Sequence, residues 1–172
     1  MEAYFDNSAT TIVTDSVKDI VVKTMTEDFG NPSAMHMVGV KAEKYIKEAQ
    51  ENIAKILKVD PKEIFFTSGG TESNNMAIIG TAMANKRKGN KIITTSVEHS
   101  SVLATMKYLE EQGFEVIYLP VDRYGVVQME ALEKEMTEDT ILVSTMYVNN
   151  EVGAIEPVGK IGQYIKKVNP SV

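Results

Sequence analysis

At 172 residues, with 43% hydrophobic and 24% charged positions and no low-complexity tract or internal repeat, the sequence is that of a globular chain able to bury a core, expected as one compact unit. Lys and Arg total 18 against 24 Asp and Glu, a net charge of -6 with the basic residues scattered, which disfavours nucleic-acid binding. Cysteine is absent, so the chain carries no disulfide, thiolate metal site or thiol nucleophile, and no metal site is expected.

The start, Met1-Glu2-Ala3-Tyr4-Phe5-Asp6, has no basic segment ahead of an apolar one. No apolar run approaches the roughly 20 residues that span a bilayer, so a cytoplasmic location without a membrane partner is expected. Val17, Ile20 and Val21, then Val38, Ala42, Tyr45, Ile46, Ala49, Ile53, Ile56 and Leu57, recur at helical spacing and predict two amphipathic helices. Between them, Gly30 and Pro32 end the first helix and Ser33 is placed to cap the second.

After Asp60-Pro61 short apolar runs alternate with helical stretches. The reading is a strand at 64–67, a helix at 71–86, a strand at 91–95, and a helix holding Val102, Leu103, Met106 and Leu109. A strand at 115–119, a short helix at 129–136, a strand at 140–147 and a helix carrying Val158, Ile161, Ile165 and Val168 complete it. Strands alternating with helices imply right-handed crossovers and a three-layer α/β/α domain with a mostly parallel sheet. Ligands of such sheets sit beyond the carboxyl ends of the strands, which directs attention to the loops leaving Thr67, Thr95 and Tyr147.

Phe66-Thr67-Ser68-Gly69-Gly70-Thr71-Glu72-Ser73 runs from the first of these strands through two glycines into a helix. Glycines let backbone N–H groups approach a phosphate, the helix N-terminus adds partial positive charge, and the Thr71 hydroxyl adds a donor. Taken alone the segment reads equally as a capped turn, and it is neither a Walker loop nor a dinucleotide fingerprint. Ser96-Val97-Glu98-His99-Ser100-Ser101 falls on the same edge; its imidazole can stack on an aromatic ring or exchange a proton, while Glu98 favours the helix N-terminus. Val148-Asn149-Asn150-Glu151-Val152-Gly153 offers amides suited to a ring hydroxyl, though by itself it is also an ordinary Asn-Gly turn. Phe5 to Thr11 and Gly30 to His36 can line a cleft, or be an Asx turn before a Thr14 or Asp15 cap and a Pro-stopped loop with an exposed His36.

Five segments in this order, YFDNSATT, GNPSAMHMVG, FTSGGTESNN, EHSSV and YVNNEVGAIEP, resemble the NifS-type and IscS-type cysteine desulfurases of the class V aminotransferase fold, over nearly the whole chain. The resemblance implies a pyridoxal 5'-phosphate-dependent transferase fold and assigns roles. Gly70 and Thr71 match the pair that binds the cofactor phosphate, His99 the catalytic histidine that stacks on the pyridine ring, and Asn150 the amide beside the ring's phenolic oxygen. It implies removal of sulfur from L-cysteine, leaving alanine and an enzyme persulfide. The sulfur then passes to an acceptor or iron-sulfur scaffold protein, and such enzymes are homodimers.

The family's later half supplies the Asp that pairs with the pyridine nitrogen, the Schiff-base Lys and the catalytic Cys, and none of these is present. Residues 1–172 are therefore expected to be an N-terminal segment plus the first half of the cofactor-binding large domain, a truncated piece inactive by itself. Alternatives are another class V aminotransferase or lyase, against which the five segments weigh, and a non-catalytic binding or dimerisation fragment, which the absence of cysteine favours.

Overall fold

Three runs rich in β-branched residues, Lys91–Thr95 (β1), Glu115–Leu119 (β2) and Thr140–Val143 (β3), pair in parallel in the order β2-β1-β3. They belong to a computed structural model that describes residues 3–172. All five residues of β1 are buried, as a central parallel strand covered on both faces requires. Its successive side chains point to opposite sides. Ile92 joins Ile78 and Ala82 of α3 (Gly70–Asn85) and Val102, Met106 and Leu109 of α4 (Ser100–Glu111). Ile93 joins Leu132 of α5 (Met129–Glu135) and Ile161 and Ile165 of α6 (Val158–Val168). The expected α/β/α layering is thus present, with two cores separated by one sheet.

β1 and β2 run where the sequence places them, but β3 is shorter than the expected 140–147. The ladder continues one step, Ser144 N–H donating to the Ile93 carbonyl at 2.9 Å, after which Met146 N–H turns to the Glu98 carboxylate. Register shifts by one residue at the start of β3: Lys91 pairs with Thr140 and Ile92 with Leu142, so Ile141 is the extra residue of a bulge.

The chain divides into two compact units, residues up to Phe66 and Thr67–Val172, where composition alone suggests one. The first holds α1 (Asp15–Thr26), α2 (Met37–Leu57) and a 3-10 turn at Pro61–Glu63. α1 buries none of its residues and α2 only Gly39 and Ala54, so this unit has little core of its own. Its two helices are tied by Asp28, whose buried carboxylate accepts from Tyr45 Oη at 2.5 Å and pairs with Lys41. The Lys41 and Tyr45 bonds hold the Asp28 carboxyl below its ordinary range.

Two sequence expectations change in this unit. The cap of α2 is His36, not Ser33: the ring Nδ1 accepts from Gly39 N–H at 3.3 Å, whereas Ser33 N–H is turned onto Asn31 Oδ1. A Cβ on Gly30 would stand 2.3 Å from the Val38 carbonyl oxygen, and one on Gly39 2.3 Å from that of Ala34. The loop therefore folds back against the helix it precedes, and the cap falls three residues later. Residues 64–67 form no strand, because among the described residues no neighbouring strand pairs with them; Phe65 and Phe66 stay exposed.

Leu109 is fully buried in the α3–α4 core, and Leu109→Ala is expected to cost about 2–5 kcal/mol of stability. Chemical unfolding followed by circular dichroism measures this; an unchanged midpoint would contradict the packing described.

Candidate functional site

In a parallel sheet every strand ends on one edge, and the helices that run back across it begin there. That edge, within the Thr67–Val172 unit, carries the N-termini of α3 and α4 and the loop after β3.

No side chain caps α3. Gly69 precedes it and Gly70 opens it, with nothing within 4 Å of where a Cβ on either would stand. The first backward backbone bond is Ser73 N–H to the Gly69 carbonyl at 3.1 Å, so the first-turn amides ahead of it have no helical partner. Glu72 folds toward Ser68, accepting from its N–H and its hydroxyl at 2.6 Å each, bonds that hold the Glu72 carboxyl below its ordinary range. The result is an open helix end with unpaired donors and an exposed Thr71.

One turn along α3, Asn74 Nδ2 donates to Ser101 Oγ at 2.9 Å, and Asn75 Oδ1 accepts from the Thr105 hydroxyl at 2.9 Å. These bonds hold the start of α3 against the start of α4. His99 is the N-cap of α4: its Nδ1 accepts from Ser101 N–H at 3.1 Å and lies 2.8 Å from Ser101 Oγ, leaving the ring exposed.

The loop after β3 is a small hairpin, with Val148 opposite Ile155 and Gly153 at a φ of 70°, a conformation glycine adopts without strain. Its first asparagine is the buried one. Asn149 Oδ1 accepts from the N–H groups of Glu151 (2.9 Å) and Val152 (3.0 Å), and Nδ2 donates to the Val97 carbonyl at 3.0 Å. Asn150 is exposed and donates to Glu151 Oε1 at 2.7 Å.

Two buried carboxylates complete the stitching. Glu98 Oε1 accepts from the Thr95 hydroxyl (2.9 Å) and Met146 N–H (2.8 Å), joining the loop after β1 to the loop after β3. Glu156 Oε2 accepts from Val127 N–H at 2.8 Å, joining the loop after β3 to the loop after β2. Burial raises the Glu98 carboxyl above its ordinary range and the charge of Glu156 adds to this, against the two donors that favour ionisation. Gly70, Thr71, His99 and Asn150 thus stand on segments that hydrogen bonds connect into one rim. Among the described residues no cluster of His, Asp and Glu has the makings of a metal site, and no helix is long and apolar enough to cross a membrane.

Residues 3–172 match the family model described as aminotransferase class-V. The chain belongs to the class-V aminotransferase family. Among curated class-V relatives it is 47% identical over 168 residues to the cysteine desulfurase IscS of Clostridium botulinum, covering 98% of this chain and 42% of that protein. To cysteine desulfurase IscS 1 of Archaeoglobus fulgidus it is 48% identical over 162 residues, 94% of this chain and 42% of the relative. A solved NifS-like protein superimposes with a TM-score of 0.96 at 47% identity, over 100% of this chain and 47% of that one. The solved SspA in complex with cysteine gives a TM-score of 0.89 at 38% identity, over 95% and 47%. The chain therefore spans less than half the length of these relatives.

Sequence reasoning singled out the exposed members of the rim and missed the roles of those that hold it: the half-buried Asn74 and the buried Ser101, Asn149 and Glu156, with Glu98 read only as a charge near a helix end. The available signal was position. Each lies next to, or within a few residues of, a residue already assigned to the edge.

Glu98 yields a test with a definite sign. Its folded pKa lies above the unfolded one, so the folded state holds this proton more tightly, and stability falls as pH rises through the ordinary Glu range toward the raised value. Glu98→Gln keeps an acceptor for Thr95 and Met146 and removes the ionisation. Melting temperatures between about pH 4 and 8 should vary less in this variant than in the wild type; parallel profiles would disprove the burial argument. Asn149→Ala leaves two loop N–H groups without their acceptor and is expected to lose about 1–3 kcal/mol in urea unfolding.

Proposed function

We propose that the chain is the N-terminal part of a pyridoxal 5'-phosphate-dependent cysteine desulfurase, comprising an N-terminal segment and the first half of the cofactor-binding domain. The observation that carries this reading is the open start of α3 on the same rim as an exposed imidazole and an exposed amide. Similarity to curated cysteine desulfurases along nearly the whole chain supports it.

The residues fit the cofactor. A phosphate dianion finds unpaired N–H groups at Gly70 and Thr71, the Thr71 hydroxyl, the positive end of a helix dipole, and space that no side chain fills. His99 offers a flat ring whose orientation is fixed by its cap bonds, suited to stacking on a pyridine. Asn150 offers a carboxamide for the ring's phenolic oxygen, exchanging its bond to Glu151 for one to the ligand. When bound, the cofactor supplies an electron sink for bond changes at the Cα of L-cysteine. This chain's own residues bind the phosphate, orient the ring and place an imidazole beside the reacting centre.

With no cysteine in the chain, the thiolate that takes the sulfur as a persulfide lies outside these residues. Alanine is the other product, and the sulfur goes on to an acceptor or iron-sulfur scaffold protein. The protein acts in the cytoplasm as a homodimer.

In the full-length protein Thr71→Ala should weaken cofactor retention by about 1.5–3 kcal/mol for each bond lost to the charged phosphate, read by equilibrium dialysis. Unchanged affinity would remove Thr71 from the phosphate site. His99→Ala should lower turnover of L-cysteine to alanine far more than it lowers melting temperature; the reverse pattern would make His99 a structural cap and nothing more.

A further inference from the structure

The rim fixes not only where His99 stands but which of its nitrogens carries the proton. Ser101 N–H can only donate, and it is aimed at Nδ1 at 3.1 Å. Ser101 Oγ lies 2.8 Å from the same nitrogen. Asn74 Nδ2 donates to Ser101 Oγ at 2.9 Å, so the hydroxyl's own hydrogen is free to point at the imidazole. Asn74 to Ser101 to His99 is then a run of donors in one direction, ending on a lone pair at Nδ1. A neutral imidazole in that arrangement bears its hydrogen on Nε2.

The support behind this run is itself hydrogen-bonded. Ser101 is 8% exposed and sits in the first turn of α4. Its carbonyl accepts from the Thr105 hydroxyl at 2.8 Å, and that hydroxyl also reaches Asn75 Oδ1 at 2.9 Å, beside Asn74 on α3. The two helix starts are thereby held in register.

We propose that Asn74 and Ser101 are positioning residues that keep His99 as the neutral Nε2–H tautomer, so that at the rim it presents a hydrogen-bond donor and not a base. This rests on the reading that the outer side of His99 meets the cofactor ring. An imidazole so held can accept a proton at Nε2 only after the hydrogen now on Nε2 moves to Nδ1, which requires displacing both Ser101 donors.

The test uses the 172-residue chain labelled with nitrogen-15, at alkaline pH. Signals of His99 are separated from those of His36 with a His36→Asn variant. The wild type should show Nδ1 of His99 as the unprotonated nitrogen. Asn74→Asp places a carboxylate that can only accept, which draws the Ser101 hydroxyl hydrogen away from His99. The ratio of Nε2–H to Nδ1–H forms should then fall by about fivefold, the worth of one neutral hydrogen bond. Ser101→Ala should move the ratio in the same direction, and Ser101→Thr, which keeps the hydroxyl, should restore it.

A wild-type ring protonated on Nδ1 overturns the proposal without any variant having to fold. Spectra of Asn74→Asp and Ser101→Ala that match the wild type overturn it too. Titration of the full-length protein, freed of its cofactor, with pyridoxine 5'-phosphate, which has the ring and phosphate but no reactive aldehyde, checks the reading beneath it. If the ligand leaves the His99 ring carbons unshifted while the tautomer pattern holds, the cofactor reading falls and the rim role falls with it; altered tautomers alone sink only the relay.

Discussion

β1 is the strand on which the rest of the molecule depends. It is covered on both faces and paired on both edges, so every side chain along Lys91–Thr95 is buried and its end point is fixed by packing in all directions. Because its partners run parallel to it, their ends and the starts of the returning helices come to the same edge. A rim of polar loops and open helix starts is then a geometric outcome of the topology. The chemistry of the loops decides only what the rim binds.

Packing alone would leave those loops free to move, and the structure restrains them with buried polar groups. Glu98, Asn149 and Glu156 each reach from one loop to the backbone of another. The arrangement has a cost, since a buried carboxylate is disfavoured unless it is well satisfied. Glu98 meets this with two donors on one oxygen, whereas Glu156 Oε1 has no partner. Exposed residues of the rim therefore stand beside buried neighbours that touch only protein, as His99 follows Glu98 and Asn150 follows Asn149.

That pairing explains what was legible in the sequence. β1 and β2 were readable to the residue because strands in such a sheet are short apolar or β-branched runs closed by polar turns. The helices were readable from period alone, except at their caps: His36 lies three residues beyond Ser33, and only the close approach of Gly30 and Gly39 to carbonyl groups shows why. Residues 64–67 have the composition of a strand, yet a strand is a relation between two segments, and one segment's sequence does not hold the other. Tandem asparagines are indistinguishable on the page; the fold buries the first, whose side chain closes the turn onto the Glu151 and Val152 N–H groups and reaches the Val97 carbonyl, and leaves the second exposed.

The bulge at Ile141 acts as a spacer. It inserts one residue into β3 after Thr140 has aligned with Lys91, and so determines where along the sheet the following loop begins. A deletion that made the ladder regular would retract Met146 and Asn149 by one strand step, about 3.3 Å, which exceeds the tolerance of a hydrogen bond. It would also turn the side chains beyond that point to the other face of the sheet. A single-residue change of length at the far end of the strand, among groups with no catalytic chemistry, would thus unfasten the rim at the near end.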